Sequence, residues 1–364
     1  MDAVRLARIV IQDFRNLERA EVSPGPRFNV FAGQNGSGKT NFVEAVYMLG
    51  ALRSFRTSTR SELVSHGKEM TRVEGLFGGA GKGLVCEVAV RSDGRRVRVD
   101  GKPVARVGGH YRTLPMVLFH PANLTLVQGG PETRRRFVDR ALFQADAAYP
   151  ELHREYGKAL ASRNRLLKER RQDRRALEAF EDQIAKLGAR ITACRAWFIG
   201  MLGERFAHAF REVSGGLEAG VTYRPSVEGG EQELALALRQ GRARDEAAGF
   251  TASGPHADDF EIAIAGRSAR RFASQGQQRA LVLSMKIAET RALFEAVGRI
   301  PLLLLDDVTS ELDRTRNRHL FRFLADEAGQ VFITTTHADH ILIEIDRTDF
   351  VVDGGRITTG SART

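Results

Sequence analysis

The sequence predicts an α/β fold, with a strand-rich lobe assembled from both ends of the chain and a helical lobe inserted between them. Three observations carry the prediction. Residues 28–46 read as a buried strand, a glycine-rich loop and a helix with one apolar side, in that order. Residues 301–307, Pro-Leu-Leu-Leu-Leu-Asp-Asp, read as a second buried strand that ends in two carboxylates. Between residues 131 and 188 glycine is sparse and apolar residues recur at helical spacing.

Composition narrows what such a fold can do. At 364 residues the chain is long enough for two lobes. Its 42% hydrophobic and 27% charged residues suit a water-soluble globular protein. A net charge of +10 favours a polyanionic partner, nucleic acid before acidic membrane. Only Cys86 and Cys194 are present, which excludes a disulfide framework or a cysteine zinc site and suits a reducing cytosol. Charges at Asp2, Arg5, Arg8 and Asp13 interrupt any signal-peptide core. No apolar run approaches the roughly 18 residues of a membrane span. The expectation is a cytoplasmic protein with no membrane partner.

Taken in order, residues 4–10 are strand-like and Asp13-Phe-Arg-Asn-Leu17 is a polar turn. Residues 19–22 lead to Pro24 and Pro26, which punctuate the chain before the strand at 28–32. Residues 33–40, Gly-Gln-Asn-Gly-Ser-Gly-Lys-Thr, fit G-x-x-x-x-G-K-[ST] completely. Gly33, Gly36 and Gly38 let the backbone curl until its N–H groups converge, and Gln34, Asn35 and Ser37 complete the cradle. The helix start adds partial positive charge at the same point. In such loops the lysine, here Lys39, bridges the β- and γ-phosphates, and the hydroxyl, here Thr40, holds Mg²⁺. The expected ligands are ATP and Mg²⁺. Arg15 joins this site if the two strands before the loop pair beside the loop's own strand.

After the helix, Arg53-Ser-Phe-Arg-Thr57 is a basic stretch. Residues 71–77 and 84–91 read as strands joined by Gly78-Gly-Ala-Gly-Lys-Gly83. That second glycine loop lacks phosphate-loop spacing and reads as a hairpin. Residues 96–99 alternate polar and apolar before an Asp100-Gly101 turn. Residues 1–117 are thus expected to form the first part of the nucleotide lobe with an attached antiparallel sheet.

Residues 118–250 are the expected helical lobe. Leu177, Phe180, Ile184, Leu187, Ile191, Cys194 and Phe198 recur at spacings of 3 and 4, a heptad seam. Leu152, Tyr156, Ala159 and Leu166 keep the rhythm upstream, with Arg163 where an apolar residue belongs. The basic run at 168–175 has no apolar face and reads as the tip joining two antiparallel helices. Each arm of ~20 residues would span ~30 Å. Residues 214–249 read as glycine-rich and polar, with a short apolar segment at 234–238.

Residues 251–364 complete the chemistry. Asp306, at the end of its strand, is the candidate Mg²⁺ ligand. Asp307 follows it, placed to position or deprotonate the attacking water. Lys39 and Asp306 lie 267 residues apart yet must meet at one ion, so the chain leaves the nucleotide lobe and returns. His256 with Asp258 and Asp259, and His337 with Asp339 and His340, cluster potential ligands. Neither set has a third or fourth ligand at convincing spacing, and structural or nucleotide-sensing roles are expected instead. Arg134, Arg135 and Arg136 are either phosphate contacts or solvated surface charge.

Ala273-Ser-Gln-Gly-Gln-Gln-Arg279 opens a helix about 30 residues before the Asp-Asp strand. Through Ser274, Gly276 and Gln277 it resembles the signature motif of ABC-type ATPases. Ser310-Glu-Leu-Asp313 resembles their D-loop, and His337, after the strand at 331–335, their switch histidine. More finely, residues 13–17, 33–44, 53–57, 130–139, 254–259, 274–279 and 303–313 resemble the RecF family of bacterial recombination mediators, relatives of SMC and Rad-type repair ATPases.

The resemblance implies an ABC-type P-loop ATPase head with an attached antiparallel β subdomain and an inserted helical lobe carrying a short antiparallel coiled-coil-like arm. It implies a homodimer in which two ATP molecules are sandwiched between heads. Lys39, Thr40 and Asp306 would hold one nucleotide, and Ser274 and Gly276 of the partner subunit would cap its γ-phosphate. Asp307 stands where transporter-type relatives carry glutamate, which agrees with a slow, switch-like ATPase. The glutamine loop has no clear match, and His120 in Phe119-His-Pro121 occupies its place. The implied function is ATP-driven clamping of duplex DNA near single-strand gaps, with RecR and RecO as partners in loading RecA during gap repair and replication restart. Two alternatives compete: the ATPase subunit of a membrane transporter, and an SMC-like protein that bridges DNA. The basic balance and Asp307 oppose the first, and the short arm opposes the second.

Overall fold

The computed structural model describes residues 3–78, 83–104, 107–169, 173–308, 312–343 and 345–360. The chain divides into two compact units, residues 1–123 with 282–364, and residues 124–281. The middle of the second glycine loop, the centre of the basic tip, and Ser310 with Glu311 of the D-loop lie outside the described residues.

The first unit begins with β1 (Leu6–Phe14) and β2 (Leu17–Val22), followed by β3 (Phe28–Ala32) and α1 (Lys39–Ala51). β4 (Met70–Phe77), β5 (Leu84–Arg91), β6 (Arg95–Val99) and the short β7 (Lys102–Pro103) come next, then α2 (Val107–Thr113) and β8 (Met116–Phe119). One antiparallel sheet has the order β2-β1-β4-β5-β6-β7. β1 pairs with β2 on one side and β4 on the other, and neither β1 nor β2 pairs beside β3. Strand alternation explains the sheet. Ile9, Ile11, Val73, Val88 and Val90 are buried on its inner face, while charged side chains hold the outer one.

The second unit opens with α3 (Thr125–Gln128), α4 (Pro131–Ala145), α5 (Tyr149–Leu167) and the 41-residue α6 (Arg174–Ser214). α6 is twice the expected arm. Asp173 caps its start, accepting from the N–H groups of Arg175 and Ala176, and Gly215 ends it at φ 74°. Leu177, Ile184, Leu187, Ile191 and Phe198 are buried along it, so the heptad seam is real. Arg163 interrupts the seam because it is wholly buried among charges: it reaches Glu181 at 3.0 Å, Asp245 at 2.8 Å and the Thr251 hydroxyl at 2.7 Å.

The stretch read as glycine-rich and polar folds into β9 (Ala219–Arg224), α7 (Glu231–Gln240) and α8 (Arg242–Ala248). Leu234 and Leu238 bury one face of α7, and Gly188 of α6 leaves room for Leu234: a Cβ there would lie 2.7 Å from its side chain. β9 pairs with β10 (Asp259–Ile264), which pairs with β11 (Arg267–Ser268). Through that pairing residues 251–281 join the helical unit, and the sequence boundary at 250 is misplaced. The short α9 (Ala269–Phe272) precedes α10 (Gln275–Val297), along which the chain passes back into the first unit.

The first unit is completed by β12 (Leu302–Asp306), α11 (Arg314–Glu327), β13 (Val331–Thr335), β14 (Arg347–Asp353) and β15 (Arg356–Thr359). The second sheet has the order β15-β14-β3-β13-β12-β8 and is parallel apart from β15. Its inner strands β3, β13 and β12 are mostly apolar and buried, as expected of strands covered on both faces, while β14 and β15 at one edge are polar and partly exposed. α1 touches both sheets, and Phe42, Val43, Val46 and Leu49 are buried with Glu44 and Tyr47 on its other sides. The helix is therefore enclosed all round, more than its apolar stripe predicts. Each fully buried Phe or Leu there contributes about 2 kcal/mol.

Candidate nucleotide site

The glycine loop lies between the end of β3 and the start of α1, where backbone geometry needs glycine. Gly36 has φ 81° and Gly38 φ 115°, in the left-handed region. A Cβ on Gly33 would fall 2.1 Å from the Val352 carbonyl oxygen of β14. The β14–β15 turn braces the loop, the Gly355 N–H donating to the Ser37 carbonyl at 2.8 Å. Asn16 braces the other side, its amide 3.4 Å from the same carbonyl while its oxygen accepts from Asn41 at 2.7 Å. Lys39 curls over the loop and donates to the Gly33 and Gln34 carbonyls at 2.7 and 2.8 Å. Burial lowers the pKa of Lys39, while Asp307 and Asp306 pull it back up.

The structure brings the two ends of the chain together as the motif spacing required. Thr40 Oγ1 donates to Asp306 Oδ1 at 2.9 Å. The same carboxylate oxygen accepts from Thr334 Oγ1 of β13 at 2.8 Å, and Thr334 in turn accepts the Asp307 N–H at 3.0 Å. Asp307 sits in the left-handed region at φ 49°, a conformation costly for a residue with a Cβ. His120 lies on the other side of the carboxylate, Nε2 3.5 Å from Asp306 Oδ2. Its Nδ1 accepts the Ala122 N–H at 3.1 Å, which leaves the proton on the nitrogen facing Asp306. Burial lowers the His120 pKa against the opposing pull of Asp306.

The residues present fit Mg²⁺. A hydroxyl and a carboxylate in contact form a hard, all-oxygen pair, and Mg²⁺ takes few protein ligands beside phosphate and water. Among the described residues no group of three or more His, Cys, Asp or Glu gathers around a metal position. His256 instead lies 2.6 Å from the Tyr156 hydroxyl and 2.8 Å from the Thr251 carbonyl. Asp259 receives a fork from Arg134 at 2.7 and 2.8 Å, and Arg135 donates to the Asp258 carbonyl at 2.6 Å. Two of the three arginines at 134–136 thus have structural partners inside the second unit. Arg136 pairs with Glu132 on its own helix.

Arg15 forks onto the buried Glu44 of α1 at 2.5 and 2.8 Å, and Glu44 also takes Ser54 and Arg56. Ser274 precedes α10 and caps it. Its hydroxyl accepts the Gln277 N–H at 3.2 Å, and the Gln277 side chain accepts the Ser274 N–H at 2.9 Å, the reciprocal pair of a capping box. Gly276 lies in that first turn. His337 follows β13 after Thr336, its N–H donating to Thr335 Oγ1 at 3.2 Å. Sequence reasoning missed Asn16, Glu44 and Thr334. Asn16 and Glu44 lay inside motifs already singled out, whereas Thr334 carried no local signal.

A glycine loop at the end of a central parallel strand, an aspartate at the end of the strand two places away, and a second antiparallel sheet over the loop helix define an ABC-type P-loop ATPase head. The comparisons agree. Residues 5–354 match the family model described as the RecF/RecN/SMC N terminal domain. The DNA replication and repair protein RecF of an Anaeromyxobacter species is 45% identical, over 98% of this chain and 99% of its own. That of Myxococcus xanthus is 43% identical, over 92% and 91%. A solved structure of the recombination mediator protein RecF with ATP, in the RecFOR pathway, superposes with TM-score 0.92 at 30% identity, over 99% of this chain and 98% of that one. An Smc head bound to the C-winged helix domain of ScpA is alike in fold alone, with TM-score 0.57 at 13% identity and 98% of each chain covered. The chain belongs to the RecF family.

Proposed function

We propose that this chain is an ATP-dependent, DNA-binding recombination mediator of RecF type. Gly33 to Thr40 bind the triphosphate, Lys39 leaving its loop carbonyls for the β- and γ-oxygens. Thr40 and Asp306 would hold Mg²⁺, which would supply charge neutralisation to the triphosphate. Asp307 holds the attacking water, and His337 senses the γ-phosphate. Ser274, Gly276 and Gln277 of the partner subunit close the site, so ATP joins two heads into a dimer that clamps duplex DNA near single-strand gaps. Hydrolysis is slow, linked to DNA, and resets the dimer. RecR and RecO are the expected partners in loading RecA.

The contact of Thr40 with Asp306, made within a chain that matches RecF relatives over nearly its whole length, carries this reading. Sizing with ATP and gapped DNA tests it. Wild type should form a nucleotide-dependent dimer, Lys39→Met none, and Asp307→Asn a dimer that persists because its ATP is not hydrolysed. Three monomers under every condition would end the clamp reading.

A further inference from the structure

Charges on the antiparallel sheet of the first unit are unevenly matched. On its solvent face Arg72 pairs with Glu74 at 2.6 Å and Glu87 at 2.7 Å, and Arg8 pairs with Glu21 at 2.7 Å. Glu87 lies directly across from Arg98 in the β5–β6 register, yet its carboxylate goes to Arg72. At the β6–β7 edge the side chains of Arg91, Arg96, Arg98 and Lys102 are exposed and make no ion pair or hydrogen bond with the described residues. Exposed arginines elsewhere do find carboxylates, as Arg154 finds Glu151 and Arg239 finds Asp182.

The face of β4, β5 and β6 beside this edge is concave as well as basic. A hollow of about 480 Å³ is lined by Arg72, Arg91, Arg95, Arg96 and Arg98 against two carboxylates, Glu87 and Asp93. Met70 and Ala89 are the only apolar side chains of the lining. A protein interface wants an aromatic or aliphatic anchor, and a membrane surface wants an inserted apolar face. Charges on an edge strand also deter pairing with other sheets. That role does not account for a concave set of five arginines facing only two carboxylates, Glu87 and Asp93.

We propose that the solvent face beside β6 binds the phosphate backbone of duplex DNA, Arg96 and Arg98 each contacting a phosphate while Arg91 on the same face extends the track. Residues two apart on a strand share a face and stand ~6.8 Å apart. That is about the through-space distance between neighbouring phosphates of one duplex strand, whose axial rise alone is ~3.4 Å per phosphate. Arginine forks fit such oxygens in pairs. The inference rests on the DNA-binding ATPase reading given above.

The test is Arg96→Gln/Arg98→Gln in the full chain, with duplex DNA binding followed by fluorescence anisotropy in ATP across a KCl series. Both side chains are exposed and make no ion pair or hydrogen bond with the described residues, so melting temperature and ATP-dependent dimerisation should match wild type. The slope of log affinity against log salt should fall by about 2, and Kd should rise about tenfold at ~0.1 M KCl. Wild-type slope and affinity in the variant would overturn the surface while leaving the clamp reading intact. Absence of DNA binding by wild type itself would overturn both.

Discussion

Thr40 and Asp306 are joined by a 2.9 Å hydrogen bond although 266 residues separate them in sequence. The loop helix and the acidic strand are thereby tied at one point, and the intervening chain includes the whole second unit. β3 is flanked by β13 and β14, both from the far end of the chain, while β8 meets only β12 within its sheet. The nucleotide lobe is a product of the two termini together.

Residues 1–123 expressed alone should therefore fail to fold. They hold β3 and β8 without the strands that lie between them, leaving two buried, unpaired strands. Circular dichroism should show no cooperative melt. Adding residues 282–364 in trans should restore one if the lobe needs nothing else.

Lys39→Met should remove nucleotide affinity and spare the fold. The ammonium now donates to two loop carbonyls, so the variant loses charge-assisted bonds to phosphate and only two local bonds in the free protein. The expected loss is about 2 kcal/mol or more of binding, over tenfold in Kd by calorimetry, with a melting temperature within a few degrees of wild type. Unchanged ATP affinity would place the triphosphate elsewhere.

What the sequence disclosed follows from range. Gly33 to Thr40, the strand at 302–306 and the seam of α6 are set by neighbours a few residues away, and local pattern finds them. Pairing is not local. Nothing near Arg15 says that β1 and β2 join β4 rather than β3, and nothing near residue 250 says that β10 joins β9. Arg163 breaks the heptad rhythm for a reason held in Glu181 and Asp245, one of them 82 residues away. Thr334 was opaque for the same cause: a threonine in an apolar strand looks like filler until Asp306 and Asp307 are placed beside it.

Thr334 should prove a positioning residue. It donates to Asp306 and accepts from the backbone of Asp307, the residue held at φ 49°. Thr334→Val keeps the volume, removes both bonds and leaves a buried N–H without an acceptor, at about 1–3 kcal/mol. ATP turnover should fall about tenfold or more while KM for ATP moves little, and Thr334→Ser, which retains the hydroxyl, should recover most of it. A loss of melting temperature with unchanged kcat would make the residue structural only.

In the second unit Asp139 anchors a buried network whose charge should be visible in the acid range. Arg195 reaches it at 2.9 and 3.0 Å, and the Tyr149 hydroxyl donates to it at 2.7 Å. Burial opposes its ionisation, but His153, Arg195 and Tyr149 outweigh that and hold its pKa at about 2, below the ordinary 3.8. A carboxyl depressed on folding contributes stability above its unfolded pKa and surrenders it as pH falls through the folded value. Asp139→Asn leaves Arg195 buried with Asp258 as its remaining carboxylate, 3.4 Å away, so at neutral pH it should cost about 3 kcal/mol or more by urea unfolding. Between pH 3.8 and about 2 wild type protonates Asp139 and loses what the variant never had, so the two unfolding free energies should converge. A gap that stays constant through that window would mean that Asp139 is not held as a buried anion.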